Sequence, residues 1–141
     1  MAITPIAPSD FEASDHQRLV IKPIQASLIS EKDNIDPYCK FYLGQRQGKT
    51  EPCKNGGKYP HWKKTVGLKT KGEPICELKI KSKKFGHKGK TLGTCTIDLN
   101  EINTERSVMR WFDLYHKKEP AGKILLEISF EKTPNSPISN E

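Results

Sequence analysis

The chain reads as all-β: an eight-stranded antiparallel β-sandwich flanked by polar N- and C-terminal tails. Three observations predict it. Apolar residues recur with a period of two in short segments, as in Cys39-Lys40-Phe41-Tyr42-Leu43, the pattern of strands buried on one face. Turn residues such as Gly44 and Asn55-Gly56-Gly57 punctuate these segments at strand-and-turn spacing. No segment shows the apolar stripe of a long helix, so the parallel, helix-linked sheets are excluded and short antiparallel connections remain.

The elements follow in order. Residues 1–16 and 133–141 are polar, proline-bearing and without periodicity, and are expected to be tails around a domain of residues 17–132. Leu19, Ile21 and Ile24 open the first strand. Pro37 removes a backbone donor where the second strand starts and holds it extended; Cys39, Phe41 and Leu43 then face one way up to Gly44. A third strand is expected over residues 49–54, ending at Asn55-Gly56-Gly57. Trp62, Val66 and Leu68 supply the fourth, with Trp62 filling much of a small core. Ile75, Leu78 and Ile80 alternate with Glu77, Lys79 and Lys81 in the fifth. After a basic, glycine-bearing loop come strands over residues 92–99 and 108–114, with a helical turn expected over residues 100–105 between them. Ile124, Leu126, Ile128 and Phe130 close the chain.

Length and charge narrow the function. A chain of 141 residues, 34% hydrophobic, suits one domain with a thin core. Its 24 Lys and Arg against 17 Asp and Glu leave a net charge of +7, which favours an acidic partner: anionic lipid, nucleic acid or acidic protein. No apolar run approaches the roughly 18 residues of a membrane-spanning helix, and the N-terminus lacks the basic and apolar blocks of a secretory signal. Cys39, Cys53, Cys76 and Cys95 form no Cys-x-x-Cys pair, so zinc fits poorly. Each lies in or beside a strand, and the expectation is buried thiols in the cytoplasm or another reducing intracellular compartment, with peripheral attachment to a membrane or cytoskeletal structure allowed.

Strand count alone leaves immunoglobulin-like, fibronectin-like and C2 sandwiches open. An ordered series of motifs separates them: Ala26-x-Leu28, Asp36-Pro37-Tyr38 running to Gly44, Lys49-Thr50, Pro60-His61-Trp62, Leu78-x-Ile80, Leu92-Gly93, Ile97-x-Leu99, Trp111-Phe112-x-Leu114 and Gly122-x-Ile124. Together they resemble the C2 domain family over about residues 18–131. The resemblance implies a calcium- and lipid-binding β-sandwich whose two loops usually hold calcium through acidic side chains. A hard dication needs about six to eight oxygens, several of them charged. Asp36 matches the second ligand of the first loop, and the first ligand falls near Lys32 or Asp33. In the later loop the family's Asp-x-Asp falls on Lys84-Phe85-Gly86 and its last aspartate on Lys90. The implied calcium site is degenerate, with at most two carboxylates left. No metal and no cofactor is expected, and Asp36 is read as a loop cap.

The basic residues are the remaining candidates. Residues 79–90 carry six lysines and His87. Lys83, Lys84, Lys88 and Lys90, with Phe85 as an apolar wedge, share the loop that the resemblance turns toward a membrane, where each lysine adds on the order of 1 kcal/mol on an anionic leaflet. By the same resemblance Lys40 and Lys49 match lysines that bind phosphoinositide head groups, whereas Tyr42 and Glu51 stand where two more would be. Enzyme chemistry is not expected: the four histidines lie far apart, and no phosphate-binding glycine loop precedes a helix. Nucleic acid fits poorly, since aromatics are 8% and form no stacking cluster. The expectation is a non-catalytic, calcium-independent interaction module docked in a larger assembly, with an acidic polymer such as a microtubule as one suitable surface. The alternative is a module that docks on anionic phospholipid.

Overall fold

The computed structural model describes residues 17–29, 35–82, 90–102 and 106–132. Eight strands account for most of them: β1 (Gln17–Leu28), β2 (Pro37–Leu43), β3 (Arg46–Lys49), β4 (Val66–Lys69), β5 (Ile75–Ser82), β6 (Lys90–Asp98), β7 (Val108–His116) and β8 (Glu119–Lys132). Bonded neighbours run β3-β2-β5-β6-β7-β8-β1-β4, all antiparallel. Between β6 and β7 the ladder shrinks to one pair, Thr94 with Tyr115. The order therefore divides there into two four-stranded layers, β3-β2-β5-β6 and β7-β8-β1-β4, which form the sandwich.

Alternation builds the core between these layers. Phe41, Leu43, Leu78, Ile80 and Ile97 from one layer and Leu19, Ile21, Ile124, Leu126 and Ile128 from the other are fully buried. Burying each is worth roughly 1.5–3 kcal/mol relative to exposure. Trp62 lies outside any strand yet is buried, and its indole N–H donates to the Pro37 carbonyl at 3.1 Å, which satisfies the polar end of the ring. At one side of the sandwich β3 and β4 come so close that a Cβ on Gly48 would fall 2.6 Å from Val66 Cγ1.

Three expectations need correction. The third strand is Arg46–Lys49 rather than residues 49–54, because the two-residue turn at Gly44-Gln45 starts pairing with β2 at once. Beyond it Thr50 turns its hydroxyl inward to accept from Cys39 N–H at 3.0 Å, and Pro52 has no N–H to extend the ladder. In β5 the buried series is Cys76, Leu78 and Ile80; Ile75 has the opposite parity and is 49% exposed. The helical turn is a 3-10 turn over Leu99–Glu101, started by Asp98, whose Oδ1 accepts from Asn100 N–H at 3.0 Å; residues 103–105 lie outside the described residues.

Candidate functional site

The outward side of β2 places Tyr38, Lys40 and Tyr42 opposite the buried Cys39, Phe41 and Leu43. Register then decides what they meet. Lys40 stands directly across from Lys49 on β3 and from Lys79 on β5, and Lys79 stands across from Thr94 on β6. Three lysines thus form one row across three strands, and Lys81 sits in a neighbouring row opposite Tyr38. At about 4.8 Å between strands the whole row spans about 10 Å, comparable to the screening length of physiological salt. Its charges act together. Tyr42 lies beside the row, with Lys40 Nζ 5.4 Å and Lys79 Nζ 5.3 Å from its ring centre, so its π face offsets part of the repulsion. Glu77, opposite Tyr42, brings one carboxylate to the same face.

The end of this layer holds Asp36 and Lys90, two of the residues matched to the family's calcium loops. Pro37 pairs with Ser82, and Ser82 with Lys90, the first residue of β6. Asp36 Oδ1 accepts from Asn55 N–H at 2.9 Å and so caps the turn before Gly56. Ser82 Oγ is buried without a hydrogen-bond partner. Among the described residues, no group of three or more His, Cys, Asp or Glu side chains is placed to hold a metal ion. Lys32, Asp33, Lys83, Lys84, Phe85, Gly86 and Lys88 lie outside the described residues.

The structure therefore unites Lys40 and Lys49 and leaves Lys90 apart, four residues along β6 from the row, about 13 Å at strand rise. Lys79 is the residue that sequence reasoning missed. Its outward parity was readable, but its alignment with Lys40 and Lys49 depends on pairing between distant segments.

The thiols are placed for packing. Cys39 and Cys76 are buried, and Cys53 and Cys95 half-buried. Burial, reinforced by the neighbouring Cys95, pushes the Cys39 thiol well above its ordinary value. Burial likewise lifts Cys76 and Cys95 to about 12. Such thiols are poor nucleophiles and metal ligands at neutral pH. A shallow pocket beside Trp62 measures about 110 Å³, below the roughly 300–1,000 Å³ of small-molecule sites. No helix among the described residues is long and apolar enough to cross a membrane.

The comparisons with known proteins agree with this architecture. No curated protein is similar enough in sequence to match the chain. Among solved structures, the C2A domain of plant Extended Synaptotagmin 1 superposes with a TM-score of 0.72 at 15% identity, covering 86% of this chain and 98% of that one. A C2 domain-containing protein from a putative elicitor-responsive gene gives 0.71 at 23% identity, covering 84% and 91%. The calcium-bound C2A and C2B domains of Extended-Synaptotagmin 2 give 0.69 at 24% identity, covering 82% and 46%. The family model of the C2 domain matches residues 17–114, and the chain belongs to the C2 domain family.

Proposed function

We propose that this C2 domain is a non-catalytic, calcium-independent docking module that joins a larger protein assembly through an acidic surface on its partner. The observation that carries this reading is the row of Lys49, Lys40 and Lys79 on one sheet face. Like charges directly opposite one another weaken a sheet, so an opposing anionic surface would relieve the row as well as bind it. An acidic polymer such as a microtubule has the required sign, and a reducing intracellular compartment suits the free, buried thiols. Affinity capture from native extract, followed by mass spectrometry, tests the reading. Recovery of acidic partners supports it; recovery of a free monomer would sink it.

Calcium independence rests on donor chemistry. The C2 domains of Extended-Synaptotagmin 2 were solved calcium bound. Here Lys84, Gly86 and Lys90 occupy the matched positions, residues 83–89 contain no carboxylate, and Asp36 is engaged by Asn55 N–H. Lysine at two of the matched ligand positions supplies no carboxylate oxygen to a dication and repels it.

A second reading is peripheral binding to anionic phospholipid. It is favoured by the direct apposition of Lys40 and Lys49, the pair matched to head-group lysines, with Lys90 at the loop end of the same layer. Liposome co-sedimentation with and without phosphatidylserine or phosphoinositide, at two salt concentrations, separates the readings. Equal binding to neutral and anionic vesicles at low salt would dismiss the lipid reading.

A further inference from the structure

The two open sides of the sandwich differ in how they are closed. On the side of β3 and β4, both edge strands are four residues long, carry a glycine and charged residues, and press against each other at Gly48. Short, charged strands are how natural sheets blunt an edge. On the side of β6 and β7, the layers touch through the single pair Thr94–Tyr115. Among the described residues, the backbone of residues 108–113 consequently has no strand partner on its outer edge.

That edge carries apolar side chains on both faces, with Arg110 and Asp113 among them. Of six exposed large hydrophobic residues among the described ones, three lie on β7: Met109 at 59%, Trp111 at 42% and Tyr115 at 48%. Leu125, opposite Trp111 on β8, extends the outer patch. On the inner face Val108 and Phe112 are half-buried against the core, as is Cys95 on β6. The guanidinium of Arg110 lies 5.9 Å from the Phe112 ring centre and pairs with Glu101 at 3.5 Å. A six-residue free edge without proline, with apolar side chains above and below, is a template for another strand.

We propose that the free edge of β7 over residues 108–113 docks an extended segment of a different protein, which adds to the sheet as a further strand. Unpaired main-chain donors and acceptors select an extended backbone. The alternating surfaces select alternating apolar side chains, one set against Met109 and Trp111 and the other over Val108 and Phe112. Charge selects against a second copy, since each chain carries +7. The net charge of +7 favours an acidic side chain beside the apolar contact. This surface lies in the other layer from the lysine row, and the proposal stands or falls independently of the basic-face reading.

The test selects a displayed library of random linear peptides against the full chain. Enriched peptides are expected to alternate apolar residues and to include an acid. Binding is expected to fall at least about tenfold for Trp111→Lys and for Met109→Lys, each checked for retained fold by circular dichroism. It is expected to fall as far when alternate amides of the peptide are N-methylated, a change that side-chain docking would tolerate. Lys40→Gln with Lys79→Gln is expected to leave it within about twofold, since those side chains face away from the edge. A library that yields no binder, equal binding of N-methylated peptides, or loss confined to the Lys40/Lys79 variant overturns the proposal. So does light scattering that finds a dimer dissolved by Trp111→Lys, which would make a second copy the occupant.

Discussion

The two outer faces of the sandwich treat charge in opposite ways. On the β7-β8-β1-β4 layer, most cross-strand charge partners are of opposite sign: Arg18 faces Glu131 on one side and Lys69 on the other, Lys22 faces Glu127, and Lys123 faces Asp113. On the β3-β2-β5-β6 layer, Lys40 faces Lys49 on one side and Lys79 on the other. Opposite charges in register stabilise a sheet by roughly 0.2–1 kcal/mol and like charges cost about as much. One face sets most of its charges opposite charges of the other sign. The other carries three lysines in one row with the Glu77 carboxylate beside them, and this difference, more than the net charge of +7, motivates the proposal that it is the docking face.

The inner faces differ as well, and there the largest effect is expected. The layer of β5 and β6 buries Cys76 and Cys95, whose thiols are lifted from 9.0 to about 12, whereas the facing layer buries aliphatic residues that do not titrate. Between those values the unfolded chain releases protons that the folded chain keeps. Stability is therefore complete below pH about 9 and falls as pH rises toward 12, by on the order of a few kcal/mol per thiol. Urea melts across this range should show the decline, and Cys76→Val with Cys95→Val should make it shallower, leaving the share of the buried Cys39 thiol. A decline unchanged in the double variant would place the alkaline sensitivity elsewhere.

Equal charge changes on the two outer faces test the contrast directly. Lys40→Glu with Lys79→Glu should reduce capture of acidic partners at least about tenfold, equivalent to about 1.4 kcal/mol. Arg18→Glu with Lys22→Glu changes net charge by the same amount and should cost less than about threefold. Equal losses would mean that bulk charge, not the row, does the binding. The row should also be visible in stability alone. Lys49→Glu should stabilise the fold by on the order of 0.5 kcal/mol and Asp113→Lys should destabilise it similarly, both effects shrinking at roughly 1 M salt. The smallest expected effect is none: millimolar calcium should leave the melting temperature unchanged. Ligand binding stabilises by RT ln(1 + [L]/Kd), so a site tighter than about 0.1 mM would announce itself by a clear rise and would restore the metal to the end of β5 and β6.

Strand existence was legible because its signals are local. The alternation in Cys39-Lys40-Phe41-Tyr42-Leu43 records which side chains are buried, and Pro37 and Gly44 mark where that segment starts and stops. Even the errors were local ones: at residues 49–54 the turn signal of Asn55-Gly56-Gly57 outweighed the hairpin geometry that starts β3 at Arg46, and at Ile75 an apolar side chain was assigned to the core against the parity of its own strand. The site was legible only in parts. Lys40 and Lys49 were found through the family's motifs, but their distance from one another, and the arrival of Lys79 beside them, required the pairing of β2 with both β3 and β5.

What the sequence by itself determined is the alphabet of the fold: period-two strands, their punctuation, the surplus of lysine, and the loss of acidic residues from the later loop. Those properties depend on neighbours within a few positions or on composition, and they survive any arrangement of the strands. The tertiary structure decided which lysines add their fields, which charges cancel, and which edge of the sandwich is closed. Lys49 and Lys79 are thirty positions apart, and register makes them flank Lys40; β6 and β7 are joined by a short connection, yet they pair through Thr94 and Tyr115 alone. Cross-strand distance is set by hydrogen-bond register and sheet twist, and neither is written in the alternation of a single strand.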